Sequence, residues 1–269
     1  SLPELVTSIV AVLSEKSSSI VPGNVMGSHI TNIGLVLGVI AFTAKNIKLE
    51  FDVMKVDGPM MIGATFLFYL CINDGNFTFF EGVMFCLGLV SYLAYILSLR
   101  DVENPDSLSL EIEVEEDEKS KFTWKEPLIL VVSGVVIYFS ADYNIQSIQN
   151  LANILNIGEE FIAVTAVALG TSLPELVVSL VAIRTGNVEM AVGNVIGSNI
   201  FNIFAVMGIP RLIGPIEVPE TLLQISLPSM LFISLLCLFV VMDRKVNRWE
   251  GLLLLLFYAA IVGGIINQM

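Results

Sequence analysis

Two stretches of this chain occur twice. SLPELV at Ser1–Val6 returns at Ser172–Val177, and GNVMGSHITNI at Gly23–Ile33 returns as GNVIGSNIFNI at Gly193–Ile203. The offsets are 171 and 170 residues, so two halves share one plan with a single-residue indel between them. Both copies lie in strongly apolar sequence. Apolar runs between charged or Gly/Pro-rich breaks predict a partial span, Ser1 to Leu13, and eight full ones. The full spans are Val25–Ala44, Gly58–Asn73, Phe79–Leu99, Pro127–Ala141, Phe161–Ala182, Met190–Ile209, Leu222–Met242 and Gly251–Ile266. Such runs suit a hydrocarbon core of roughly 30 Å, are too long for membrane strands of about 10 residues and lack alternation. The expected fold is an all-α membrane bundle. Corresponding spans are five apart, an odd number, so the two copies enter the membrane in opposite directions, as in many secondary transporters.

Composition excludes several other classes. The chain is 55% hydrophobic and 14% charged, with a mean hydropathy of +0.82, whereas soluble domains carry about 25% charged residues. A soluble globular enzyme is therefore ruled out. Cys71, Cys86 and Cys237 stand singly inside apolar runs, which suits packing residues rather than a disulfide framework. The net charge of −13 is concentrated, since nine of the 26 acids lie between Asp101 and Glu118. No basic footprint points to a nucleic-acid partner, and nothing points to a protein partner. Ser1 opens directly onto Leu-Pro-Glu-Leu-Val, without the basic flank of a signal peptide.

The cations are distributed unevenly. Loops after spans two, four, six and eight carry Lys45, Lys48, Lys55, Arg100, Lys119, Lys121, Lys125, Arg184, Arg244, Lys245 and Arg248, against Lys16 and Arg211 on the other face. This positive-inside bias places residues 100–124 in the cytoplasm and the C-terminus outside, in a cell membrane. The expected organisation is a first repeat over 1–99, an acidic cytoplasmic linker over 100–124 and a second repeat over 125–269. The linker reads as a solvated, self-repelling tether. A short strand in SLSLEIEVE and loose Ca²⁺ collection are weaker readings, because no EF-hand spacing is present. Trp124 and Trp249 sit where an interfacial aromatic belt would lie. Glu81, Asp142, Glu159, Glu160 and Glu189 read as helix-end charges.

The repeated motifs carry the chemistry. In Gly170-Thr171-Ser172-Leu173-Pro174-Glu175, Pro174 removes an amide donor and so frees backbone carbonyl oxygen. Thr171 and Ser172 add hydroxyls, and Glu175 adds a carboxylate where ionisable groups are costly and usually functional. Glu4 and Ser1 are the other copy. Carboxylate, hydroxyl and carbonyl oxygens are the hard ligands preferred by Ca²⁺ and usable by Na⁺. No Lys or Arg lies at any span centre to pair the two acids, so they call for one divalent cation or several monovalent ones. Gly23 with Gly27, and Gly193 with Gly197, have the spacing that lets membrane helices approach, and packing is their expected role. Ser28 with Asn32, and Ser198 with Asn202, are i and i+4 pairs that share a helix face. His29 stands where the other copy has Asn199 and is expected to be a packed or helix-bonded imidazole.

On these residues the chain resembles the cation/calcium exchanger superfamily, in particular its Na⁺/Ca²⁺ exchanger branch, from the first motif to the C-terminus. Proton-coupled Ca²⁺ exchangers resemble one another in having GNAxE where this chain has GTSLPE. The resemblance implies a ten-helix inverted-repeat exchanger bundle, here lacking the first helix and part of the second. It implies that Glu4 and Glu175 are the Ca²⁺ carboxylates and that Ala168 and Thr171 give backbone carbonyls. Ser1, Ser172, Ser28, Ser198, Asn32 and Asn202 would complete the Na⁺ and Ca²⁺ positions. Asn202 occupies a place that is Asp in potassium-dependent members, which implies K⁺ independence. The linker has no room for the large Ca²⁺-sensing domains of animal exchangers that the chain resembles.

The function expected is antiport of Na⁺ against Ca²⁺ by alternating access at one shared two-glutamate site. The transported ions are substrates, no cofactor is implied, and the lipid bilayer is the surroundings. The alternative is a Ca²⁺/H⁺ antiporter using the same glutamates as proton carriers. A channel fits less well, because channels usually present rings from identical subunits. An intramembrane enzyme lacks its parts: there is no HExxH, His29 is the sole histidine, and neither Asp74 nor Asp142 is central in a span.

Overall fold

The apolar runs fold as helices, which satisfy every backbone polar group within one segment and so tolerate hydrocarbon. The computed structural model describes residues 1–14, 17–44, 46–48, 57–103, 125–242 and 244–267. These hold nine helices: α1 (Leu2–Leu13), α2 (Ile20–Ala44), α3 (Asp57–Ile72), α4 (Phe79–Glu103), α5 (Lys125–Leu155), α6 (Glu159–Arg184), α7 (Val188–Ile213), α8 (Leu222–Val241) and α9 (Arg248–Ile266). Six of them, α2, α4 and α6 to α9, are long and apolar enough to cross a membrane, so the protein is an integral multi-pass membrane protein. The shorter α1 and α3 have 12 and 16 residues. The span expected to end at Ala141 continues as one helix to Leu155. Beyond Ala141 its apolar residues narrow to a stripe, with Ile145, Ile148 and Ala152 buried at helical spacing, so the segment is amphipathic rather than uniformly apolar. The acidic linker from residue 104 onward and Trp124 lie outside the described residues.

Two small antiparallel ribbons tie the repeats together. β1 (Asn46–Lys48) pairs with β4 (Lys245–Asn247), Ile47 opposite Val246. At the other end β2 (Asn76–Phe77) pairs with β3 (Ile216–Glu217), Phe77 opposite Ile216. The loops after α2 and α8 thus share one end of the bundle, and those after α3 and α7 share the other. The corresponding helices α2 and α7 therefore finish at opposite ends, which is the inversion read from the repeat parity. Asn247 also starts α9 through a capping box with Glu250.

Burial sorts the helices. The most apolar window of α2 is 83% buried and that of α7 67%, against 17% for α4 and α9. The two copies of the Gly-Asn-Val motif thus form the centre, and α4 and α9 turn Phe80, Leu87, Leu97 and Leu256 outward toward lipid. Close crossings bring α9 onto α2: a Cβ at Gly251 would stand 2.8 Å from the Gly38 carbonyl oxygen. Cys71 and Cys237 are buried and Cys86 half-buried, none in a disulfide. Trp249 is exposed at the start of α9.

Local geometry departs from simple α-helix at matching places. α2 widens into a π-helical turn over Asn32–Leu37 and α7 over Asn202–Met207. Each begins at the asparagine that closes the repeated motif. α6 does the same over Ala163–Val167, just ahead of Ala168. Such turns shift the backbone ladder by a residue and occur mostly at functional positions.

Candidate cation site

The two SLPE motifs meet at the bundle centre. Pro3 opens α1 where its missing amide costs nothing, and Pro174 sits inside α6, leaving the Gly170 carbonyl one turn back without its helical donor. The helical period then puts Thr171, Ser172 and Glu175 on the buried face of α6. Glu4 is 1% exposed and Glu175 5%. Ser1, one turn before Glu4, reaches the other motif through its side chain, its hydroxyl donating to Glu175 Oε1 at 3.4 Å. Residues 171 apart in sequence thus share one pocket of carboxylate oxygen.

These oxygens lack partners. Both carboxylate oxygens of Glu4, Oε2 of Glu175, Ser172 Oγ, Asn32 Oδ1 and both side-chain polar atoms of Asn202 are buried without a hydrogen bond, as are His29 Nδ1, Glu159 Oε2 and Asn199 Nδ2. More than 90% of buried polar groups in proteins are paired, and an unpaired buried carboxylate is especially costly. Within this set the two carboxylates, Glu4 and Glu175, belong to motifs that meet through Ser1, and their charge suits a cation. Only two carboxylates take part, since no group of three or more His, Cys, Asp or Glu converges among the described residues. With hydroxyl and amide oxygens beside them, the donor set suits a hard cation rather than a thiolate- or imidazole-seeking metal.

The remaining expected ligands are all buried or half-buried. Ser198 is half-buried and lines a cavity of about 290 Å³ together with Ser1 and Asn194. Thr171 lines two further cavities, of about 370 and 220 Å³, that share Pro3 and Asn144 with it. Its hydroxyl also donates to the Ala168 carbonyl at 3.4 Å, and Ala168 is fully buried. Ser28 donates to Asn24 Oδ1 at 3.5 Å within its own helix. Asn32 and Asn202 are fully buried, and Asn32 Nδ2 bonds Asn199 Oδ1 across the repeat boundary at 3.1 Å.

Sequence reasoning missed the residues that hold the carboxylates in place. Asn24 Nδ2 lies 3.3 Å from the Glu4 main-chain oxygen and 3.3 Å from Ser8 Oγ. The second repeat makes the matching bond, Asn194 Nδ2 to Ser179 Oγ at 3.4 Å. Ser8 and Ser179 stand four residues after Glu4 and Glu175, and both asparagines follow the first glycine of the repeated motif. That identity in both copies was the available signal.

The glycine pairs behave differently in the two copies. A Cβ at Gly23 would stand 3.0 Å from the Ala163 Cβ, and one at Gly27 would stand 2.6 Å from the Ala168 Cβ, so α2 rests directly on α6. At Gly193 nothing among the described residues lies within 4 Å, and at Gly197 only the Tyr92 hydroxyl does, at 4.0 Å. The packing expected of these glycines holds for the first pair alone. His29 is fully buried with Nε2 2.6 Å from Ser234 Oγ, as expected of a packed imidazole. Glu81 acts at a helix start, accepting from the Thr78 amide at 2.6 Å, whereas Asp142, read from the sequence as a helix-end charge, lies well inside α5 and accepts from Gln146 one turn on at 2.9 Å, because the helix runs on past Ala141.

Comparison with known proteins agrees with this geometry. The family profile described as Sodium/calcium exchanger protein matches residues 1–98 and 125–267. The chain is 34% identical to the Sodium/calcium exchanger MaX1 of Methanosarcina acetivorans, over 97% of this chain and 83% of that protein. It is 30% identical to the inner membrane protein YrbG of Escherichia coli, over 95% of this chain and 79% of that one. A solved structure of the sodium-calcium exchanger NCX_Mj, soaked with 10 mM Na⁺ and 10 mM Sr²⁺, superimposes with a TM-score of 0.66 at 28% identity, covering 97% of this chain and 82% of that chain.

Proposed function

Because the chain belongs to the sodium/calcium exchanger family, we propose that it is an antiporter exchanging Na⁺ for Ca²⁺ by alternating access at one site shared by Glu4 and Glu175. The observation that carries this reading is the pair of buried carboxylates, Glu4 and Glu175, one from each repeat, three of whose four oxygens have no hydrogen bond. Two carboxylates balance one Ca²⁺ or a small set of Na⁺. Neither full set fits beside the other, since both use the same oxygens. Each ion therefore displaces the other, and competition couples the two fluxes.

The empty site supplies the second half of the mechanism. It leaves two carboxylates in a low-dielectric interior with no Lys or Arg side chain among the described residues to pair them, and carrying uncompensated charge past hydrocarbon costs several kcal/mol. That barrier suppresses the uncoupled return. Asn202 is neutral, so the site has no third carboxylate, which supports exchange without K⁺. The cavities that share Pro3, Asn144 and Thr171 suit aqueous approach from the α5 side. The cation bias of the loops supports a cytoplasmic linker over 100–124 and an external C-terminus in a cell membrane.

The test is radioactive Ca²⁺ uptake into vesicles holding the protein, loaded with Na⁺ and diluted into Na⁺-free buffer, with Glu175→Gln as the inactive control. Uptake that needs internal Na⁺, is indifferent to K⁺ and vanishes in the control is the expected result. Uptake driven by a pH gradient alone keeps the glutamates as the site but transfers the coupling to protons, and overturns the Na⁺ assignment.

A further inference from the structure

We infer that Asn199, which is not among the expected ligands, is the positioning residue that lets Asn32 turn its amide oxygen toward the ion. The inference rests on the two-glutamate reading above. Asn32 and Asn199 come from opposite repeats, are both fully buried, and meet through Asn32 Nδ2 donating to Asn199 Oδ1 at 3.1 Å. The bond occupies one end of each amide and leaves Asn32 Oδ1 and Asn199 Nδ2 buried without a hydrogen bond.

The physical point is that the two ends of an amide have nearly the same shape and opposite polarity. Turned one way Asn32 offers a ligand oxygen, and turned the other way it offers a donor that repels a cation. Offering oxygen sends the NH₂ group in the opposite direction, where a buried donor without an acceptor costs most of the gain. Asn199 Oδ1 is that acceptor for Asn32, and the donor left without a partner is then Asn199 Nδ2 rather than one on the proposed ligand.

The first repeat lacks the corresponding brace. The residue matching Asn199 is His29, whose ring turns away to Ser234 Oγ at 2.6 Å. Asn202, which matches Asn32, has both amide atoms buried without a partner. The two copies thus present one braced amide and one unbraced amide to a single site. The sequence difference His29 against Asn199 is its origin.

The experiment is thermal unfolding of the purified protein titrated with Ca²⁺ alone, for the wild type, Asn199→Leu, Asn199→Asp, Asn32→Ala and the double variant Asn199→Leu with Asn32→Ala. The loss of one buried amide–amide hydrogen bond predicts a rise of up to about tenfold in half-stabilising Ca²⁺ for Asn199→Leu. Asn199→Asp keeps the acceptor but adds a buried carboxylate, so it binds Ca²⁺ no more weakly than wild type. In the Asn32→Ala background the Leu substitution adds nothing, whereas a purely structural role for Asn199 would weaken Ca²⁺ in both backgrounds equally. An Asn199→Leu variant that binds like wild type, or equal losses in the two backgrounds, overturns the inference. Should Asn199→Leu not yield folded protein, Asn199→Ala runs the same cycle. A wild type that Ca²⁺ does not stabilise, with Glu175→Gln behaving identically, overturns the two-glutamate reading instead.

Discussion

Asn24 places its side-chain amide 3.3 Å from the main-chain carbonyl of Glu4, joining the central helix α2 to the helical turn that carries the first carboxylate. The same nitrogen lies 3.3 Å from Ser8 Oγ, so one side chain bridges two points of α1. Asn24→Leu removes both contacts inside a fully buried environment. We expect a loss of about 1–3 kcal/mol in stability and a several-fold rise in half-saturating Ca²⁺, read by thermal unfolding and vesicle uptake. Asn194→Leu, which breaks only the half-buried bond to Ser179, has the smaller effect. Equal effects of the two would show that Asn24 does not act through Glu4.

The unpartnered carboxylates make the site a stability liability without its ion. Glu4→Gln replaces a buried charge by a neutral amide of the same size. Its unfolding temperature in ion-free buffer is expected to exceed that of the wild type, while Ca²⁺-dependent stabilisation disappears. For the wild type that stabilisation is about 2.7 kcal/mol at a hundred times Kd. A Glu4→Gln protein that melts lower and still responds to Ca²⁺ would contradict the assignment.

Gly27 is where α2 and α6 press together. Its new Cβ in Gly27→Ala would stand 2.6 Å from Ala168 Cβ, and overpacking of this kind costs about 1–3 kcal/mol. Because the Ala168 carbonyl belongs to the proposed ligand set, weaker Ca²⁺ binding should accompany the lower melting temperature. Gly63→Ala on α3, with nothing within 4 Å, is the control and should stay within about 1 kcal/mol of wild type. Similar losses at the two positions would remove the argument.

His29 holds α2 to α8 through Ser234. Ser234 donates its own proton to the Met230 carbonyl at 2.6 Å, so the imidazole is the donor to Ser234 Oγ. His29→Leu leaves that oxygen short of a donor and is expected to cost about 0.5–1.5 kcal/mol with half-saturating Ca²⁺ unchanged. A large shift in Ca²⁺ dependence at constant stability would place His29 in the site after all.

The helical membrane class, the inverted pairing of halves and the two glutamates were legible in the sequence, because each depends on local pattern. Apolar runs of membrane length leave the backbone only helices or closed barrels, an odd count of spans reverses a repeat, and a lone carboxylate in an apolar span is too costly to be incidental. Amphipathic α5 was read too short for a related reason: a stripe of Ile145, Ile148 and Ala152 shows only when a partner helix is known to cover it.

Tertiary structure alone decided how identical words are used. Gly27 and Gly197 have the same local sequence, yet one lies against Ala168 and the other faces nothing nearer than a tyrosine hydroxyl. Asn199 and His29 hold matching places, yet one reaches the opposite repeat and the other turns to Ser234. The choice of partner for a buried amide or imidazole depends on which donor or acceptor another helix brings within about 3 Å. That neighbour can be some 200 residues away in the chain, as Ser234 is from His29, so no reading of the local sequence contains it.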